Sequence, residues 1–298
     1  MKRKRCCVAP FVLLANVEGF GIRKISSLNS HPSPWIGTTI CCTSVCRMRV
    51  EGGMDEDSRI DANPEALEKW FVNMGGAIGP VGLEETSHFG WGFRAERDIE
   101  LGEKLATFPR CMCIGIAAAQ RDAAEPEDNS WMGPPEVQAL VEEIPRLYPD
   151  LRLGLVLLHE RYRTESSKWK PYVSNLPRRF KGVPLSSFGA IEMRGMQDFA
   201  LAGKINQRCK FMVSFVKRVL DPLTPGPDAP FGDHRVGFGD LAWASAAVSS
   251  RAFTRLYGGR VQESRPLLVP FMDMLNFNFV QENVKVCSIG ILVLVRLC

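Results

Sequence analysis

Strand-like and helix-like segments occupy different parts of this 298-residue chain, and that order is the strongest constraint on its fold. Short strand-like pieces come first, at Gly92–Arg97, Lys104–Phe108 and Cys111–Ile116. Long helical patterns follow, and a short apolar strand, Leu267–Phe271, comes late. Segregation of the two kinds of segment predicts an α+β fold and argues against a doubly wound parallel sheet.

Capping residues set the expected helix boundaries. Asn63 followed by Pro64 predicts the start of a first helix, which Gly75-Gly76 stop. Asp240 is predicted to cap a later helix that ends at Gly258-Gly259. Between these two helices, the run Leu151–Tyr162 is typical of a mostly buried helix.

The segment Ala200–Leu220 predicts another helix, with an apolar stripe and a basic face. Its stripe consists of Leu201, Ile205, Cys209, Met212, Val216 and Val219, with Phe215 at the edge. Its basic residues, Lys204, Arg208, Lys210, Lys217 and Arg218, are interpreted as a solvated face. Polar, proline-rich stretches at Arg121–Glu136 and Leu220–His234 predict loops.

Residues 1–50 have the composition of a targeting segment. They hold eight basic residues and one acid, Glu18, with many Ser and Thr, which is typical of an organelle transit peptide. A secretory signal and an untargeted tail are the alternatives. Without this segment the chain carries 29 basic and 32 acidic residues, so its overall charge of +4 does not indicate nucleic-acid binding.

The cysteines favour reduced thiols over a metal site or a disulfide framework. Five of the ten lie in residues 1–50, and the other five form no Cys-x-x-Cys pair. We therefore expect no metal centre. The chain also has no run of about 18 apolar residues, so no membrane span is expected.

The string Gly90-Trp91-Gly92-Phe93-Arg94-Ala95 satisfies the dinucleotide pattern G-x-G-x-x-A. That pattern needs a strand before it and a helix at it, whereas Leu83–His88 is polar and a turn-rich β stretch follows. A nicotinamide-dependent enzyme is therefore a disfavoured alternative. The remaining interpretations are a plain glycine turn, or a glycine pair that lets the backbone lie close to a flat ligand.

Three further motifs are weak when taken alone. Trp169-Lys170-Pro171-Tyr172 is typical of an aromatic packing corner. Arg251, within Ser250–Phe253, and Arg255 are spaced to share one helix face, either as a solvated edge or as an anion clamp. Asp273 and Asn276 follow the apolar strand and place polar groups at the end of an apolar wall.

In this order, the four motifs resemble the SET-domain protein-lysine methyltransferases of the Rubisco large-subunit type. In that family a helix precedes a G-x-G strand and an R-D-I turn, which here would be Gly90–Gly92 and Arg97–Ile99. Then follow a W-K-P-Y motif, an S-R-x-F helix and a D-x-x-N-H motif, the last beginning at Asp273. The resemblance spans roughly residues 63–276.

The resemblance implies a SET-type fold of small β-sheets with an inserted helical region at about 117–237, within a SET domain at 63–283. It implies S-adenosylmethionine as cofactor, a protein substrate bearing a target lysine, and no metal. The implied cofactor-binding residues are Phe89, Gly90, Trp91, Gly92, Asn276 and Phe277. The implied substrate-binding residues are Arg251, Arg255 and Asp273.

Two departures from the family pattern qualify these expectations. Phe277 stands where the family has His, which replaces a hydrogen-bonding ring by one that cannot bond. The family's catalytic Tyr follows the D-x-x-N-H motif, but all four tyrosines of this chain precede Asp273, so no catalytic residue is predicted. Residues 284–298 are interpreted as an atypical tail that replaces closing strands and a C-terminal helical domain.

The resulting hypothesis is a monomeric, plastid-stromal SET-type protein-lysine methyltransferase, C-terminally truncated and weak or inactive in turnover. Cytoplasm or nucleus is the alternative location. The alternative function is a non-catalytic SET-like interaction module or truncated isoform. Without closing strands, the sheet would expose an edge, which the apolar tail could cover as a substitute strand.

Overall fold

The computed structural model describes most of the chain from residue 63 onward. The described residues are 63–86, 90–100, 102–116, 131–163, 167–180, 193, 195–255, 265–275, 284–289 and 291–296. The proposed targeting segment, Phe89, Asn276, Phe277 and the Gly258-Gly259 pair lie outside these ranges.

The first helix, α1, spans Pro64–Asn73 and begins as predicted. The Asn63 side chain accepts a hydrogen bond from the Ala66 amide at 2.8 Å, and Pro64 is the first helical residue. Gly75 ends the turn after the helix with a φ of +89°, a conformation that favours glycine. Leu67 and Phe71 are fully buried, so α1 packs one face on the core.

An antiparallel hairpin carries the G-x-G sequence. Strand β2, Val81–Thr86, pairs with β3, Gly90–Ala95, with Glu84 opposite Gly92; a two-residue strand β1, Ala77–Ile78, precedes them. The strand predicted at Gly92–Arg97 therefore starts two residues earlier. The polar stretch interpreted as non-strand is its partner, because one face of an antiparallel pair can remain in water.

Strand β4, Lys104–Pro109, agrees with the predicted Lys104–Phe108 and pairs with β1. The prediction of a third strand at Cys111–Ile116 is wrong. A 3₁₀ turn, Arg110–Met112, replaces its first half, and Ile114 makes only isolated bridges to Trp131 and Leu268. Residues 112–115 are nevertheless buried, so the apolar pattern reflected burial and not strand pairing.

Among the described residues, five α-helices follow β4. They are α2 (Pro135–Glu142), α3 (Pro149–Tyr162), α4 (Lys170–Ser174), α5 (Phe199–Phe215, continued by a wider turn, Val216–Leu220) and α6 (Phe238–Arg251). The loop predicted at Arg121–Glu136 overlaps the first two residues of α2, whereas α3 and α5 match the apolar patterns. Residues Leu151–Glu160 of α3 are all buried, so this helix forms the centre of the helical layer.

Helix α6 differs from its prediction at both ends. Gly237 is its N-cap, and Asp240 instead lies in the first turn, where its carboxylate accepts the Gly237 amide at 2.8 Å. The helix ends at Arg251 because residues 253–255 form strand β5, Phe253–Arg255. Strand β5 pairs with β6, Arg265–Leu267. The observed strand is therefore shorter than the predicted strand at Leu267–Phe271 and begins two residues before it.

Helices α3 and α6 pack closely at a small-residue contact. An added Cβ at Gly154 would lie 3.2 Å from the Cβ of Ala244. Nearby, Arg208 of α5 forms an ion pair with Asp150 of α3 and donates to Ser245 of α6 at 3.0 Å. The interpretation of Arg208 as part of a solvated face is therefore wrong. Its guanidinium contacts Asp150 of α3 and Ser245 of α6, so it lies where three helices meet.

The last two strands join the sheet. Strand β7, Val284–Ile289, and strand β8, Ile291–Arg296, form a hairpin, and β8 pairs with β4 along Lys104–Pro109. The four-stranded order is β1-β4-β8-β7. The tail covers the edge of β4 in the way that a substitute strand would.

Among the described residues, no helix combines the length and apolarity that crossing a membrane requires. Cys111 is an exposed free cysteine, and Cys113 and Cys209 are buried. The same part of the chain holds no group of three or more His, Cys, Asp or Glu placed to bind a metal ion.

Candidate functional site

The G-x-G strand and the Asp273 segment meet in the fold. Strand β3 contacts the 3₁₀ turn Met272–Met274 that follows Phe271. The rings of Phe93 and Phe271 lie 4.9 Å apart edge to face, and Phe271 also stacks on Phe71 of α1 at 4.4 Å. Segments about 180 residues apart in sequence therefore form one wall.

Backbone geometry shapes this junction. Phe271 has a φ of +72°, an uncommon value for a bulky side chain, and its ring is fully buried. Packing against Phe71 and Phe93 holds the residue in this conformation, which directs the chain into the 3₁₀ turn. Gly92 is buried and Trp91 half-buried at the same junction.

Asp273 is the polar centre of the site. Its Oδ2 accepts a hydrogen bond from the Tyr172 hydroxyl at 2.9 Å and lies 3.2 Å from Nη1 of Arg251. Its Oδ1 is buried and has no hydrogen-bond partner. One carboxylate oxygen is thus held by two donors, while the other stays available as an acceptor.

Burial dominates the electrostatics of this cluster. Loss of water raises the pKa of the Asp273 carboxyl above its usual value, and the charge of Arg251 opposes that rise. Burial and the neighbouring Asp273 charge raise the pKa of the Tyr172 hydroxyl well above 10. Tyr172 therefore remains a hydrogen-bond donor across the physiological range.

Arg251 and Arg255 do not share a helix face as predicted. Arg251 is the last residue of α6 and reaches Asp273, whereas Arg255 lies in β5, opposite Arg265. The i,i+4 spacing counts only when both residues are helical, and here the chain becomes extended at Ala252. The assignment of both arginines to the substrate site remains a prediction.

The Trp169–Tyr172 motif connects the helical layer to the site. Trp169 is buried, donates from Nε1 to the Met112 carbonyl at 2.9 Å and stacks on Trp131 at 5.3 Å. Tyr172, three residues later in α4, reaches Asp273. Sequence reasoning identified this motif as a packing corner and missed the contact of its hydroxyl with Asp273.

Of the nine predicted site residues, the structure brings five together. Gly90, Trp91 and Gly92 lie in the strand that contacts the turn holding Asp273, and Arg251 binds Asp273 directly. Phe89, Asn276 and Phe277 lie outside the described residues. The R-D-I turn that follows the G-x-G strand is closed by an ion pair between Arg97 and Glu103.

Comparison with solved structures identifies the fold. The chain matches a crystal structure of the SET domain of LSMT bound to Lysine and AdoHcy, with a TM-score of 0.57 and 19% identity over 78% of this chain. A structure of Rubisco LSMT bound to AdoMet matches with a TM-score of 0.56 and 20% identity. This chain has a SET-domain fold. The resemblance carried by the sequence motifs is confirmed, as is the α+β fold class inferred from the order of strand-like and helix-like segments.

Curated relatives of this SET-domain chain are protein methyltransferases. A fructose-bisphosphate aldolase-lysine N-methyltransferase, chloroplastic, from Arabidopsis thaliana is 26% identical over 225 residues, or 74% of this chain. An actin-histidine N-methyltransferase from Homo sapiens is 26% identical over 226 residues. No family model matches the chain. The chain covers 41% and 35% of these two relatives and half of each solved chain.

Proposed function

We propose that this SET-domain chain takes part in S-adenosylmethionine-dependent methylation of a lysine side chain in a protein. The observation that carries the proposal is the junction of the G-x-G strand with the turn that holds the buried Asp273 carboxyl. The names of the similar proteins support the same reaction class, since one is a lysine methyltransferase and solved neighbours hold AdoMet or AdoHcy.

The residues at this junction fit such a cofactor. Gly92 is buried and carries no Cβ, so a ligand could approach its backbone. Gly90–Gly92 would hold the cofactor with Phe89, Asn276 and Phe277. The bound sulfonium supplies an already activated methyl group, so the reaction needs no metal.

The chain's own residues would prepare the amine. A lysine must lose its proton before it can act as a nucleophile, and an apolar surrounding lowers the pKa of its ammonium group. The buried rings of Phe71 and Phe271 line the wall beside Asp273 and exclude water from it. Arg251 holds Asp273 in place, while Arg255 is proposed to contribute to the same substrate site.

Cofactor binding tests the proposal most directly. We expect calorimetry to detect S-adenosylmethionine binding by the full chain, and Gly92→Val to weaken it at least tenfold because the branched side chain fills the ligand's approach. Gly203→Val is the matched control, since Gly203 is exposed in α5 with open space around it. Equal affinity of both variants would contradict the proposed cofactor site.

The amino acid that receives the methyl group distinguishes a lysine methyltransferase from a histidine methyltransferase. Similar proteins include both lysine and histidine methyltransferases, and the lysine assignment follows the W-K-P-Y, S-R-x-F and D-x-x-N motifs. Turnover is expected to be weak at most, and after incubation with labelled S-adenosylmethionine and a plastid extract, peptide mass spectrometry should find any transferred label on lysine. Label on histidine would overturn the proposed substrate class.

We also propose a plastid location. The basic, Ser/Thr-rich and nearly acid-free composition of residues 1–50 supports it, as does the chloroplastic description of one relative. Residues 1–62 fused to a fluorescent protein should direct it into plastids. Replacing the four basic residues at positions 2–5 by glutamine is expected to reduce import, and cytosolic fluorescence of the unaltered fusion would contradict the proposal.

A further inference from the structure

The Tyr172–Asp273 hydrogen bond joins two distant parts of the chain. Tyr172 lies in α4, within the helical layer, while Asp273 lies in the 3₁₀ turn beside the G-x-G strand, 101 residues further along the chain. The side chains of Asp273 and Tyr172 are both fully buried. A hydrogen bond between such groups is not exchanged for one with water, so its geometry is fixed.

The way the donors share the carboxylate is specific. Both the Tyr172 hydroxyl and Nη1 of Arg251 approach Oδ2, at 2.9 and 3.2 Å. Oδ1 is buried without a hydrogen-bond partner. A buried acceptor without a partner carries a desolvation cost, which a donor from a bound ligand would remove.

Tyr172 is itself held rigidly. Trp169 fixes the start of α4 through its bond to the Met112 carbonyl and its stack on Trp131. Trp70 of α1 donates to the carbonyl of Lys168 at 2.6 Å and secures the same segment. Three contacts therefore fix the segment that leads into α4, and α4 carries Tyr172 to Asp273.

We propose that Tyr172 is a positioning residue of the methyl-transfer site: its hydroxyl and Arg251 occupy Oδ2 of Asp273, which orients Oδ1 as the acceptor for the amine of the substrate. This inference rests on the proposed function. The groups that face the carboxyl from the packed elements are Tyr172 of α4 and Arg251 of α6, and Cys113 lies near Tyr172. Tyr172 acts through Asp273 and does not itself touch the reacting atoms.

The contact is tested first without any ligand, by carbon-13 NMR titration of the Asp273 carboxyl in the full chain. Loss of a hydrogen bond that favours the carboxylate should raise the midpoint in Tyr172→Phe by about one pH unit. Tyr162→Phe is the matched control, because it removes a similar tyrosine–aspartate bond, to Asp240, away from the site. An unchanged midpoint in Tyr172→Phe overturns the proposal.

A measurement on the unmutated chain covers the case in which Tyr172→Phe does not fold. The Cζ resonance of Tyr172 should titrate with the midpoint of Asp273, while that of Tyr162 should not follow it. Independent titration of Tyr172 and Asp273 would overturn the contact. Neither NMR experiment needs the cofactor, so failure of S-adenosylmethionine binding would count against the proposed function alone.

The positioning role has its own readout. With S-adenosylhomocysteine present, binding of free lysine is measured by calorimetry, and we expect Tyr172→Phe to weaken it five- to tenfold while Tyr162→Phe leaves it unchanged. A shifted Asp273 midpoint with unaltered lysine affinity would reduce the contact to a structural one and overturn the positioning role.

Discussion

The buried carboxyl of Asp273 links the stability of the fold to pH. Burial raises its pKa in the folded chain, so over the interval between the unfolded and folded pKa values the folded state holds a proton that the unfolded state has lost. The free energy of unfolding therefore falls as pH rises through that interval. The interval begins near the ordinary aspartate pKa of about 3.9.

Asp273→Asn removes this dependence. We expect the stability of the variant, relative to the unmutated chain, to increase as pH rises from about 4 toward neutrality. Urea denaturation across that range measures the difference. Asp228→Asn, which removes an exposed carboxyl, controls for the loss of one negative charge. Parallel stability curves for Asp273→Asn and the unmutated chain would contradict the prediction.

Removal of the Arg208 guanidinium tests how much its ion pair with Asp150 contributes to stability. Its partner Asp150 also accepts from Ser245 at 2.7 Å, so removing the guanidinium leaves a largely buried carboxylate with fewer donors. We expect Arg208→Ala to lower the free energy of unfolding by about 2–3 kcal/mol, below the range for fully buried pairs because Arg208 is partly exposed. Lys204→Ala, one turn earlier on the exposed face, should change it by less than about 0.5 kcal/mol.

At the scale of elements, sequence patterns predicted helices better than strands. The helix α3 and the apolar stripe of α5 follow from burial and periodicity, which depend on neighbours within a few residues. The partner strand Val81–Thr86 was missed because its glutamates face water, and Arg208 was misplaced because its partner lies 58 residues away. Long-range pairing of this kind leaves no local periodicity.

The same limit applies to the site. That Gly90–Gly92 lies near Asp273 was predicted from the resemblance to a family, and nothing in local spacing indicates it. The Tyr172 contact was not predicted by either route, since an aromatic residue after proline is typical of plain packing. Helix ends were misjudged where glycines suggested a stop, whereas strand pairing of Phe253–Arg255 ends α6 earlier.

The close contact of α3 and α6 gives a prediction at the scale of elements. Gly154→Ala would place a Cβ 3.2 Å from that of Ala244, closer than the contact distance of about 3.5–4.0 Å between carbons. We expect a loss of about 1 kcal/mol by thermal or urea unfolding, despite the better helix propensity of alanine. Gly203→Ala, where a Cβ would meet no neighbour, should instead stabilise the folded chain by about 0.5–1 kcal/mol. The double variant Gly154→Ala, Ala244→Gly should recover most of the stability that Gly154→Ala loses.

Across the whole molecule, the sheet joins the beginning and the end of the described chain. Strand β4 has β1 on one side for only two residue pairs, and β8 on the other along most of its length. Without β8, a row of backbone donors and acceptors on Lys104–Pro109 would be open to other chains. We therefore expect β7 and β8 to stabilise this sheet and to limit aggregation through the β4 edge.

Proline substitutions separate the roles of the two tail strands. Leu294 lies in β8 between Ala106 and Val286, so Leu294→Pro disturbs the strand that pairs with β4, whereas Val286→Pro disturbs the outer strand β7. We expect Leu294→Pro to abolish hydrogen-exchange protection of the Lys104–Pro109 amides that pair with β8, and to cause aggregation measurable by light scattering. Val286→Pro should retain most of that protection. Equal protection of β4 in both variants would mean that β8 does not hold this edge, and that the sheet is closed by β1 and the core alone.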